Sequence, residues 1–235
     1  MRRSIAHGLA YIAAASVLGF SMPVLAAIQV VNGSFIIPTA FNGFEGIGPH
    51  AGGSGAPPWT GPYTEGGITV QSIGGDQVVT TYQHEGLYSW YDGSGQNQYT
   101  DFRMADSGMM DEFQFDATTL FLKPTGVYPP FYYQLLRQGT VVATGSAGAL
   151  CDTTNVCFKT YGFRGGLFDE VRLQTNLFDG TFNAGRVGAN TMLFDNIYAR
   201  EVPEPTTWAM MLAGFGIVGC AMRRRSRHKL SLIHI

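Results

Sequence analysis

The residues able to do chemistry are few in the middle of this chain. Two histidines lie there, His50 in a Gly/Pro-rich stretch (PHAGGSGAPPW) and His84 in a polar one (QHEG). Neither has the neighbours of a metal-binding helix, and no Gly-x-Ser-x-Gly elbow supplies a nucleophile. Gly52-Gly53-Ser54-Gly55 has no lysine after it and is not a phosphate cradle. The carboxylate doublets Asp111-Glu112 and Asp169-Glu170 come nearest to an acid/base pair. Adjacent side chains on a strand point to opposite faces, so such a pair would have to be assembled from distant strands. A second chemistry is open to the aromatics Trp59, Tyr63, Trp90 and Tyr91. A ring face laid on the C–H face of a sugar, with Asp, Asn and Gln nearby, makes a glycan platform. In a small domain Trp and Tyr also fill the core, which competes with this reading more strongly for Trp90 than for Trp59.

The elements that must position these residues are strands. Of the 235 residues 45% are hydrophobic and only 14% charged, and 31 glycines interrupt nearly every apolar window. No long 3.6-residue period survives. Short runs of β-branched and aromatic residues recur at 28–31, 67–73, 78–82, 98–104, 114–121, 131–137, 140–144, 158–163, 170–174 and 191–200. The plainest hairpin joins YYQLLR to TVVAT through Gln138-Gly139. Many short strands without intervening helices predict an all-β body, a single antiparallel β-sandwich or jelly roll over residues 27–201.

The net charge of −2 hides a segregation. Between Arg3 and Arg223 there are 8 Lys and Arg against 17 Asp and Glu, a net −9; the remaining basic residues sit at the two ends. A body that acidic repels polyphosphate, so nucleic acid is not an expected partner. The basic ends read as membrane targeting. Residues 1–26 have the form of a signal peptide, a helix with Arg2 and Arg3 before an apolar run, ending at Val24-Leu25-Ala26. Cleavage between Ala26 and Ala27 is expected. At the other end, 202–229, come Pro203-Glu204-Pro205, an apolar helix over 206–222, and a basic cluster over 223–229 that includes Arg223, Arg224 and Arg225. The prolines hold an extended recognition peptide outside, the helix enters the membrane, and the arginines stay cytoplasmic. Trp208 to Met222 spans only about 22 Å at 1.5 Å per residue, against a hydrocarbon core of about 30 Å. An anchor that marginal suits temporary retention. Residues 230–235 (LSLIHI) follow the stop cluster without a physical purpose and are read as an artefactual end.

The string PEPTTWAMMLAGFGIVGCAMRRR resembles the PEP-CTERM sorting tail. It has the Pro-Glu-Pro triplet, the aromatic Trp208 opening the span, Gly214-Phe215-Gly216 near its middle and the terminal arginines. The resemblance implies recognition and cutting by an exosortase-type membrane protease. It also implies export through the inner membrane of a Gram-negative bacterium that makes exopolysaccharide. The same tail is labelled an ice-binding-protein C-terminal domain, which says nothing of ice for this body.

Export to an oxidising compartment in turn predicts a disulfide between Cys151 and Cys157 in CDTTNVC. The body is weakly similar to galactose-binding-type jelly rolls. Val31-Asn32-Gly33-Ser34-Phe35 and Leu193-Phe194-Asp195-Asn196-Ile197 stand where that group has its first and last strands. The similarity implies a structural calcium to which Asp195 could donate, although Ile36 stands where an acidic ligand commonly follows; no other cofactor is expected. Together these readings predict a non-catalytic protein, transiently membrane-anchored and then placed on the cell surface or in the extracellular matrix. There it would bind exopolysaccharide or serve a biofilm. A purely structural or adhesive protein and a glycan-active enzyme are the alternatives.

Overall fold

The computed structural model describes residues 27–48, 59–74, 78–80, 85–91, 98–119, 129–150, 157–175, 182–185, 190–203, 210–219 and 222. Thirteen strands are formed among them. In chain order they are β1 (Gln29–Asn32), β2 (Ala40–Asn42), β3 (Tyr63–Glu65), β4 (Ile68–Ile73), β5 (Val78–Thr80), β6 (Ser89–Tyr91) and β7 (Tyr99–Met104). They continue as β8 (Met109–Thr119), β9 (Pro130–Arg137), β10 (Thr140–Ala149), β11 (Lys159–Phe168), β12 (Glu170–Thr175) and β13 (Met192–Val202).

Period-two alternation explains why these segments are strands. In β4, ITVQSI, the residues Ile68, Val70 and Ser72 face inward and are buried, while Thr69, Gln71 and Ile73 are half-exposed on the other side. The strands pair antiparallel into two sheets. A seven-stranded sheet runs β1-β11-β8-β13-β6-β5, with β2 also paired to β13; a six-stranded sheet runs β10-β9-β12-β7-β4-β3. The predicted antiparallel β-sandwich is therefore formed. Each of the ten expected strand regions carries a strand. The three that the sequence did not reveal, β2, β3 and β6, have three residues each. Three residues are too few to display alternation, and neighbouring strands define them instead.

The β9–β10 hairpin turns at Gln138-Gly139 as expected. Both residues have positive φ, 50° and 76°. That is the type I′ requirement, whose twist matches the flanking strands. Gln138 tolerates the left-handed conformation partly because its N–H donates to Asp169 Oδ2 at 2.7 Å, tying the turn to the β11–β12 connection.

Between the sheets lies a core of phenylalanines. Phe102 meets Phe194 edge-on at 5.1 Å, Phe115 meets Phe131 at 5.4 Å, and Phe131 packs on Tyr161 at 5.0 Å. Rings from both sheets alternate here, so burial and edge-to-face attraction act together.

Strand direction places the two ends of the body at one end of the sandwich, two strands apart. Gln29, Arg164, Glu112 and Arg200 form one row across β1, β11, β8 and β13. The chain thus enters through β1 and leaves through β13 at the same end of the sandwich.

Candidate functional site

The tail grows directly out of the sheet. Val202, the last residue of β13, still pairs with Met109 of β8, and Glu201 N–H donates to Thr39 Oγ1 at 2.8 Å. Pro203 follows and cannot donate to a ladder, which ends the strand. Arg200 locks this exit by a bidentate pair to Asp111 at 2.8 and 2.7 Å and a further contact to Glu112 at 3.1 Å. Planar two-point pairing of this kind fixes geometry as well as charge. Burial and the nearby Asp106 push the Glu201 carboxyl above its usual range.

A helix then occupies 210–219, and every one of its residues is exposed. Met210, Leu212, Phe215 and Ile217 are about 70% accessible, at 75, 69, 68 and 71%. A Cβ added at Gly214, Gly216 or Gly219 would meet nothing within 4 Å. The helix is thus apolar all round, and its residues are exposed among the described residues. At ten residues it is about 15 Å long, and among the described residues no helix is long and apolar enough to cross a membrane. Glu204, Pro205, Trp208, Arg223, Arg224, Arg225 and the signal segment through Ala26 lie outside the described residues. Ala27 opens them and is exposed.

In the body, the four aromatics proposed as a platform divide. Trp90 is fully buried between the sheets, stacked on Phe44 at 5.9 Å and Tyr63 at 6.4 Å, with its Nε1–H donating to Ser72 Oγ at 3.2 Å. Both its faces and its polar edge are used, so Trp90 belongs to the core and cannot present a ring to a sugar. Tyr63 continues the stack and meets Trp59 edge-on at 6.0 Å. Its hydroxyl donates to Glu65 Oε2 at 2.5 Å, and burial together with that carboxylate raises its pKa far above the usual value. Trp59 and Tyr91 are half-buried.

Asp195 is fully buried on the outer side of the seven-stranded sheet. One oxygen accepts the N–H of Asn196 at 2.8 Å and the other that of Glu85 at 3.0 Å. Asn196 has φ 49° at a bulge, and its side-chain amide donates to Asp116 Oδ2 at 3.1 Å. The carboxylate therefore braces the bulge that separates β13's pairing with β6 from its pairing with β2. Among the described residues no group of three or more His, Cys, Asp or Glu is placed to hold a metal. Cys157 is disulfide-bonded; Cys151, its expected partner, lies outside the described residues, as do Cys220, His50 and His84.

The most unusual electrostatics involve Glu170, from the doublet Asp169-Glu170, and a carboxylate from another strand that the sequence did not single out, Asp101. On the outer face of the six-stranded sheet, Asp101 and Arg103 of β7 stand beside Glu170 and Arg172 of β12, with Asp101 opposite Arg172 and Arg103 opposite Glu170. Arg103 bridges the two carboxyls, reaching Asp101 Oδ2 at 2.7 Å and Glu170 Oε2 at 3.0 Å, and Arg172 pairs with Glu170 Oε1. Arg172 also lies over the Tyr99 ring at 5.1 Å. Asp101 Oδ1 is buried and meets no N–H donor among the described residues, and the Glu170 carboxyl beside it becomes a hydrogen-bond partner only when one of the two holds a proton. Burial, and then the charge of Glu170, push Asp101 up to about 7. The sequence signal was the D-x-R of 101–103 and the E-x-R of 170–172. Each sets opposite charges on the polar face of an alternating strand, but the pairing of β7 with β12 is needed to join them.

The arrangement defines an antiparallel β-sandwich whose last strand ends at Val202, with an exposed apolar helix over 210–219. Residues 201–226 match the PEP-CTERM protein-sorting motif, which supports an exported protein sorted by an exosortase and held at the membrane on its way to the cell surface. No curated protein and no solved structure matches the chain. The motif begins at Glu201, two residues inside β13, so the recognition peptide starts where the folded body stops.

Proposed function

We propose that this is a non-catalytic protein of the surface or extracellular matrix of a Gram-negative bacterium. A signal peptide exports it, the 206–222 helix holds it briefly in the membrane, and an exosortase removes the tail. The observation carrying this reading is the sorting motif at 201–226, continuous with β13 and followed by a helix exposed on all sides. A helix this short is matched to a thinned or snorkelled span, adequate for a substrate waiting to be cut. Intact-mass spectrometry of the protein from an exosortase-bearing host tests it. The expected mass lacks the 208–222 segment, and a mass retaining that segment overturns the processing step.

For the body we propose association with exopolysaccharide or biofilm. With Trp90 in the core, the platform contracts to Trp59 and Tyr91, with Tyr63 as the support behind Trp59. Saturable binding to exopolysaccharide, weakened about tenfold by Trp59→Ala, is the expected result. The absence of binding by well-folded protein overturns the glycan reading in favour of a structural or adhesive role. That second reading is favoured by the absorption of Tyr63 and Trp90 into one internal stack. Asp101 and Glu170 support a non-catalytic assignment: one guanidinium occupies both, whereas a glycosidase pair holds its carboxyls about 5 Å or more apart around the scissile bond.

A further inference from the structure

A pocket opens at the end of the sandwich where the tail leaves. It has a volume of about 260 Å³ and is lined by Arg103, Ser107, Asp169 and Glu170 together with the Gln138-Gly139 turn. Three connections build its rim: the 105–108 turn, the β9–β10 hairpin and the β11–β12 junction. The first of these also touches the tail exit. A Cβ added at Gly108 would stand 2.7 Å from the Glu201 carboxylate, and Met109 beyond it pairs with Val202. Pockets for drug-sized molecules run from about 300 Å³ upward, so this one suits something the size of a single headgroup.

The lining carries both signs. Arg103 is 52% exposed, with Nε on Asp101 and Nη2 on Glu170, and its Nη1 has no partner among the described residues. Asp169 accepts the Gln138 N–H on Oδ2 and keeps its other oxygen open among the described residues. Both oxygens of Glu170 are taken by arginines. One open cationic donor and one open anionic acceptor thus share the pocket, the complement of a ligand that is itself a zwitterion. No aromatic ring lines it among the described residues, so a quaternary ammonium has no face to rest on, whereas a primary ammonium donates hydrogen bonds to a carboxylate.

We infer that this pocket takes the headgroup of phosphatidylethanolamine, with its ammonium on Asp169 and its phosphate on Arg103, while the tail holds the protein at the membrane. The inference rests on the anchoring proposed above. Reach selects a lipid as the occupant. The six residues from Val202 to Trp208, where the apolar run begins, extend to at most about 20 Å, so the pole carrying the pocket stays near the lipid surface. Charge selects among lipids. A net −9 between Arg3 and Arg223 repels an anionic surface, and the carboxylates of the pocket repel an anionic headgroup. A neutral headgroup with a primary amine meets neither obstacle. Once bound, it gives the tail-bearing pole a second point of attachment and fixes the orientation of the body over the membrane.

The test uses the full chain with its tail, from a host without an exosortase, in vesicles of phosphatidylcholine alone or mixed equally with phosphatidylethanolamine or phosphatidylglycerol. Flotation reports anchoring, and hydrogen exchange over 104–108 and 138–140 reports the pocket. Exchange there is expected to slow about tenfold with phosphatidylethanolamine and to stay unchanged with phosphatidylglycerol. Free O-phosphoethanolamine at the same bulk concentration, added to phosphatidylcholine vesicles, is expected to protect less, because a bilayer concentrates the headgroup beside the pocket. Asp169→Asn, whose amide oxygen keeps the Gln138 bond, is expected to abolish the slowing at an unchanged melting temperature. Arg103→Lys keeps a cation beside Asp101 and Glu170 and is expected to weaken it. Floated protein whose exchange ignores phosphatidylethanolamine, an equal response to phosphatidylglycerol, equal protection by the free headgroup, or a folded Asp169→Asn that still responds overturns the inference. Protein that floats with none of the vesicles overturns the anchoring reading, and the assignment of the pocket to lipid falls with it.

Discussion

The two ends of the sandwich are built differently. At the end where the chain enters and the tail leaves, connections are short: Gly66-Gly67 joins β3 to β4, residues 105–108 join β7 to β8, Gln138-Gly139 joins β9 to β10, and Asp169 alone separates β11 from β12. Side chains cross-tie this end, with Asp169 on Gln138, Asp111 and Glu112 on Arg200, and Thr39 on Glu201. At the opposite pole the β4–β5 connection, 74–77, is also short, but 43–62, 92–98, 120–129, 150–158 and 176–191 are longer. Tight turns suit the end that meets a membrane and presents a cutting site, since motion there would blur the boundary between body and recognition peptide. Length suits the opposite end, where variation costs little stability. The body is thus polarised by its strand directions before any ligand is considered.

The sharpest challenge to this contrast is at Trp90, which lies beneath the outward end. If the long connections there sat over a loose core, Trp90→Ala would be mild. Its full burial between Phe44 and Tyr63 instead predicts a loss of about 3–5 kcal/mol in denaturant unfolding. Trp59→Ala, at a half-buried site, should cost about 1–2 kcal/mol.

A second test concerns the Asp101–Glu170 pair. The folded-state pKa of Asp101 is raised to about 7 from 3.8, so the folded protein binds more protons than the unfolded chain between those values. The stabilisation is complete below about pH 4 and is lost as pH rises through 7. A shift of this size is worth at most about 4 kcal/mol. Thermal melts from pH 5 to 8 should fall in the wild type, and Asp101→Asn, which mimics the protonated form, should flatten that slope. An equal slope in the variant would place the pH dependence elsewhere, Glu201 being the next candidate.

The smallest effect is the most direct comparison of the two ends. Four residues inserted between Gln138 and Gly139 break a type I′ turn and its Asp169 bond, with an expected loss of about 2 kcal/mol. The same insertion between residues 123 and 124, in the ten-residue connection of β8 to β9, should cost about 0.6 kcal/mol or less, because loop closure depends only logarithmically on length. Equal losses would erase the distinction between the ends.

Legibility in the sequence followed the range of the interactions involved. The tail could be read outright, since proline, an apolar run and arginines act through solvent and lipid and need no partner in the fold. The longer strands, 68–73, 130–137 and 192–202 among them, were readable because alternation or β-branched content reports one buried face. The hairpin at Gln138-Gly139 was readable because two β-rich runs flank it, while its type I′ geometry came from the structure. By itself, then, the sequence determined an all-β body and a sorting tail. Only the tertiary structure decided that β2, β3 and β6 are strands, because each is defined by what lies beside it. It alone turned Trp90 inward, since a period-two pattern says that neighbours face apart but not which of them meets Phe44. It alone joined Asp101 to Glu170 across β7 and β12, and set the first and last strands in one sheet with β11 and β8 between them. These depend on pairings between residues far apart in the chain, which sequence spacing does not encode.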